Sequence, residues 1–271
     1  MISRHCDTSI PHETDWLLEP GNNNTSSTKS RTDQIAAHLT TDINPHYSDL
    51  LLLLCYVITG LLDSSAVFIW GSFVSMQTGN TVYLGLGLIG VDESTRWIKA
   101  GVSIFSFCFG SFCFASFHRR FPSRQRWVLC ASFAVQMLCI AVAATIVTIH
   151  FPSRHSELSW TALMPQVLVA FQSSGQAVTS RILQFNGLTS VVLTSVYCDL
   201  FSSPKFPSLS EVEDRRRAGA IVCLVLGTVL GGLWARTSVG LMGALWTAVL
   251  FKGVIAGAWL GWKGQQSDDD D

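Results

Sequence analysis

Eight apolar segments, parted by short charged or proline-containing gaps, fall near residues 48–70, 74–90, 97–117, 127–150, 159–180, 185–202, 218–236 and 239–262. A helix needs about 20 apolar residues to cross a bilayer, and most of these segments qualify. The exceptions are 74–90 and 185–202, which are the shortest and the richest in Gly, Ser, Thr and Asn. Only 14% of the 271 residues are charged, where an ordinary soluble domain carries about 25%. The shortage is regional, because the charges are sparse from Leu50 to Trp262. A net charge of −1 and the lack of a basic stripe with interleaved aromatics argue against a nucleic-acid partner. The chain therefore reads as an all-α, polytopic helical membrane protein whose first partner is the lipid bilayer.

The ends differ from this body. Residues 1–47 are polar, have no apolar core and no signal-peptide apolar region, and carry Asp7, Glu13, Asp15 and Glu19, which argue against a transit peptide. They read as a disordered tail, and 263–271, ending in the run Asp268–Asp271, as a short acidic one. Two overlapping glycosylation sequons start at Asn23 and Asn24; both are idle if the N-terminus is cytoplasmic. Of eight Cys, five sit within apolar helices as small hydrophobes, and no CxxC pair or zinc spacing occurs. No metal or other cofactor is expected.

The body, 48–262, has two halves of one plan, about 48–150 and 159–262. Each has a helix with polar residues towards its far end, Asp63-Ser64-Ser65 or Gln172-Ser173-Ser174-Gly175-Gln176. A short broken segment follows, then two long helices. Paired interrupted segments in a duplicated chain point to a transporter-like binding site. Lys and Arg positions choose among topologies. With eight spans and the N-terminus inside, the loop of Arg119, Arg120, Arg124 and Arg126 lies outside. With six spans, and the two broken segments dipping in and returning, that loop joins Arg181, Lys205, Arg215, Arg216 and Arg217 in the cytoplasm. Only Arg96, Lys99, Arg154 and Arg236 then lie outside. Six spans with inverted halves is the preferred topology, and neighbours must shield the re-entrant segments from lipid; eight spans is the alternative.

Asp63 is a carboxylate costing about 2.5–3.5 kcal/mol near a helix centre. It either faces a cavity as a proton- or cation-carrying group or simply ends its helix on neighbouring backbone. Thr78-Gly79-Asn80 interrupts the next segment. Gly79 frees the backbone and Asn80 is a good N-cap for a helix from Thr81, which would leave free N–H groups facing a cavity. A plain turn is the competing explanation. The expected solute-binding set is Asp63, Ser64, Thr78, Gly79, Asn80, Gln172, Gln176 and Thr194, with interhelical hydrogen bonding as the other role for the glutamines. Arg181 and Lys252 read as snorkelling cations. Gly227, Gly231, Gly253, Gly257 and Gly261 follow small-residue spacing for helix packing and could support a homodimer as readily as an internal contact.

GLLDSSAVF (60–68), SFVSMQTGNTVYLGLG (72–87) and AFQSSGQAVTSRILQFNGLTSVVLTSVYCDL (170–200) closely resemble the DUF1275 family, the YoaK-like membrane proteins, in its fungal form. The resemblance covers about 48–262 and implies six spans without an established biochemical activity. Bacterial relatives tend to carry a second TG-type pair where Thr194-Ser195 stands here, which breaks strict symmetry between the halves. The chain shows no GxSxG, HExxH or Walker A motif, so no catalytic residue and no enzyme is expected, and transport would be passive or gradient-driven. The expected function is a secondary transporter or permease for a small polar or anionic solute. The alternative is a non-transporting membrane scaffold, in which Asp63→Asn is tolerated or slightly stabilising.

Overall fold

The computed structural model describes residues 31–44, 47–91, 94–150 and 158–264. The helices are α1 (Arg31–Thr40), α2 (Ser48–Trp70), α3 (Gln77–Leu88), α4 (Arg96–Arg120), α5 (Arg126–Ile149), α6 (Trp160–Ile182), α7 (Leu193–Phe201), α8 (Val212–Ala235) and α9 (Gly240–Leu260), with a single 3-10 turn at Asn186–Leu188. Five of them, α2, α4, α5, α8 and α9, are long and apolar enough to cross a membrane. The sixth long helix, α6, has 23 residues like α2 but carries a polar face that the protein buries, from Gln166 to Ser180. This is a polytopic helical membrane protein.

The two short helices do not span. At 1.5 Å per residue, α3 and α7 are about 18 and 14 Å long, against a hydrocarbon core of about 30 Å. Helix α3 runs antiparallel to the start of α4. Ser103 donates to the carbonyl of Phe73, just ahead of α3, while Gly87 near its end lies against Trp97. The chain leaves α2, dips about two turns inward, and returns along α3 to the face it came from. Arg216, near the start of α8, likewise lies over the ring of Phe185, just past the end of α6, 5.1 Å from its centroid, so the chain enters α8 at the end where it left α6. The segments expected at 74–90 and 185–202 are thus re-entrant, with helical parts shorter than those bounds.

One end of the bundle gathers chain from distant positions. Ile43 N–H donates to Arg124 O, Arg126 N–H to Thr41 O and Asn44 N–H to Lys263 O, and Arg216 pairs with Asp49 at 2.9 Å. An eight-span chain would put the 121–125 loop and residue 263 on opposite sides of the membrane, so these bonds select six spans. Of the tail expected at 1–47, residues 1–30 lie outside the described residues, and the same contacts hold the part that is described. Residues 31–40 are helical because His38 bonds Leu260 O and Arg126 reaches His38 O at 2.7 Å, which ties α1 over the ends of α5 and α9. Asn23, Asn24, Arg154 and Asp268–Asp271 lie outside the described residues.

The duplication is visible in the packing. Helix α2 packs along α8 as α6 packs along α4, and α5 crosses α9 between the halves. Gly231 sits against Leu61 O and Ser64 Oγ, and Gly110 against Phe171 O and Ser174 Oγ: one three-residue arrangement, built twice. Gly60 and Gly227 bring α2 and α8 into backbone contact, as the small-residue spacing predicts for Gly227 and Gly231. The α9 series differs. Gly253 touches only Met137, Gly257 faces open space, and around Gly261 only its own helix comes within 4 Å.

Candidate functional site

Helix α2 stops at Gly71, whose φ of 77° is left-handed backbone that glycine adopts freely and whose N–H closes on Val67 O. The unwound stretch 71–76 that follows runs through the protein interior, where each backbone polar group needs a partner. Four helices supply them. The Asp63 carboxylate of α2 accepts from Val74 N–H at 2.8 Å and Ser75 N–H at 2.9 Å, and from the Ser75 hydroxyl. Asn80 of α3 accepts from Phe73 N–H at 2.9 Å and donates to Phe73 O at 2.8 Å. Ser103 of α4 donates to Phe73 O, and Ser173 of α6 to Val74 O at 3.0 Å.

Asp63 and Asn80 therefore meet as clamps on one loop, not as walls of a cavity. Helix α3 begins at Gln77, with Met76 as its N-cap, so Thr78-Gly79-Asn80 lies in the first turn and Asn80 is no cap. Thr78 is exposed. Gly79 leaves room for the Phe73 ring, which a Cβ would meet at 2.7 Å. Ser64 bonds its own helix at Leu61 O. Thr194 is exposed in the first turn of α7, and Gln172 donates to Val169 O while its buried Oε1 has no hydrogen-bond partner among the described residues.

Gln176 leads to a second polar centre. Its Nε2 donates to Thr59 Oγ1 at 2.6 Å and Ser190 Oγ at 2.8 Å, and its Oε1 accepts from Lys252 Nζ at 2.8 Å. Lys252 also donates to Gln136 Oε1 at 2.5 Å, with the Phe133 ring 5.0 Å away. Lys252 is completely buried. It stands twelve residues from Gly240 and eight from Leu260, about 18 and 12 Å from the two ends of α9, too deep for its stem to reach either interface. Among the described residues it makes no ion pair. The snorkelling assignment is thus corrected. An ammonium in the middle of an apolar helix is itself the sequence signal for a functional position; Gln136, which bonds it, and Thr59 and Ser190, which bond Gln176, carry no comparable signal and are found only through these contacts.

Ser190 borders a third feature. A pocket of about 310 Å³ opens beside the second broken segment, lined by Arg181, Gly187, Thr189, Val192 and Ser195. Val192 is the N-cap of α7 and offers no side-chain cap, so the first N–H groups of α7 lack intrahelical partners at the pocket wall. Among the described residues no group of three or more His, Cys, Asp or Glu could hold a metal ion.

The family model described as "Protein of unknown function (DUF1275)" matches residues 51–258, which take in the two re-entrant segments and nearly all of the six long helices. No curated protein and no solved structure matches the chain. With most of its length inside that match, the chain belongs to the DUF1275 family.

Proposed function

We propose that this protein is a permease or secondary transporter for a small polar or anionic solute. One observation carries the proposal: two inverted halves each send a short re-entrant helix in from opposite ends, and both unwound connections bond to the polar face of α6. Unwound backbone beside half-helices at a repeat interface is the architecture in which transporters bind solutes. The abundance of Lys and Arg at the end holding residues 41–49 and 263 favours a cytoplasmic N-terminus by the positive-inside rule.

The test is reconstitution of the purified full chain in liposomes, with influx measured for urea, glycerol, glycine, chloride, nitrate and formate. At least one solute should enter tenfold faster than into protein-free vesicles. If none does, the non-transporting scaffold replaces the permease.

A further inference from the structure

Cations stand at three depths in this bundle. Arg181 lines the pocket at the basic end, Lys252 is buried in the middle, and towards the opposite end Lys99 is buried while Arg96 lies over the Tyr83 ring at 4.9 Å. The carboxylate that could offset them, Asp63, is occupied by the N–H groups of Val74 and Ser75 and the Ser75 hydroxyl. From the pocket the route inward is short. Thr189 lines it, Ser190 follows in the chain, Gln176 bonds Ser190, and Lys252 bonds Gln176. Two buried side chains, Ser190 and Gln176, separate the pocket wall from the buried ammonium.

The chemistry of these groups selects a substrate. The pocket joins a guanidinium, two hydroxyls and an uncapped helix N-terminus with its partial positive charge. At about 30 Å³ per water, 310 Å³ holds a small anion with several waters. Lys252 has three N–H donors, and two point at Gln136 and Gln176 oxygens. Rotating both amides turns their NH₂ groups towards the same point, so the closed cluster of one ammonium and two amides becomes an all-donor cradle. Resting on the permease reading, we infer that the solute is a small monovalent anion, captured at Arg181 and the start of α7 and handed on to Lys252.

The experiment uses the same liposomes, with nitrate, chloride and formate as anions and urea and glycerol as neutral controls. Wild-type protein should pass at least one anion and exclude both neutral solutes. Arg181→Gln, at an exposed position, should lower anion flux about tenfold, and Lys252→Met should abolish it, with Lys252→Arg retaining more. Should Lys252→Met fail to fold, Arg181→Gln still decides. Passage of urea or glycerol without any anion overturns the anion inference and leaves the permease standing; no flux of any solute overturns both. Anion flux unchanged in Arg181→Gln and in any folded Lys252 variant overturns the assignment of the path.

Discussion

Asp63→Ala should cost this protein about 3–9 kcal/mol of stability, enough to unfold much of it in mild detergent. The substitution strands the Val74 and Ser75 N–H groups and the Ser75 hydroxyl, for which Asp63 is the acceptor found among the described residues. Each buried donor left unsatisfied costs about 1–3 kcal/mol. Asp63→Asn keeps an oxygen for the two N–H groups and loses only the charge-assisted part, so its cost should stay near 1–2 kcal/mol. Thermal unfolding of the purified variants measures both. An Asp63→Ala protein as stable as wild type would show that the 71–76 loop is held by something else. The direction matters, because a tolerant Asp63→Asn was the mark expected of a scaffold. In this fold Asp63 anchors a loop, and its variants report on folding whichever function is right.

Gly227→Ala should be the most damaging single methyl in the helix packing. Its Cβ would fall inside contact distance of Val57 O and lie 2.8 Å from Val57 C and 3.0 Å from Leu61 N. All three are backbone atoms of α2, so no side chain can swing aside and the two helices must separate. Overpacking costs about 1–3 kcal/mol where side chains can adjust, and an obstruction made of backbone places this variant at or above the top of that range. Gly257→Ala is the control. Its Cβ meets nothing within 4 Å, and replacing a mid-helix glycine should gain up to about 1 kcal/mol in helix propensity. Equal unfolding temperatures for the two variants would contradict the α2–α8 backbone contact.

The architecture was legible because lipid imposes a coarse requirement that the sequence meets in bulk. Segment 48–70 is α2 to the residue, and the other long segments shift by at most a few positions, except α8, which starts at Val212 and not 218. That helix begins early because Glu213, Asp214, Arg216 and Arg217 pair with one another and with Asp49 at the membrane surface, where hydropathy gives no signal. The sites were harder to read. Thr78-Gly79-Asn80 stands out in an apolar run, but the partner of Asn80 is the backbone of Phe73, seven residues away in the chain, and nothing in the spacing says whether a buried amide faces a solute or a loop. Lys252 stood in plain view, yet its meaning depends on Gln136 and Gln176 arriving from two other helices. Gly60 and Gly110 carry closer contacts than the α9 glycines, although the α9 spacing is the more regular.

Everything proposed for transport rests on two halves inserted in opposite senses, each with a re-entrant helix. Single cysteines at Ser94, Ser123, Ser208 and Ser238 test this directly through reaction with a membrane-impermeant thiol reagent in sealed vesicles of known orientation. The fold predicts that Ser123→Cys and Ser208→Cys react from one side, and Ser94→Cys and Ser238→Cys from the other. Ser94→Cys reacting from the same side as Ser208→Cys, with Ser123→Cys on the opposite side, would mean that α3 and α7 cross the membrane and that the inverted six-span bundle is wrong.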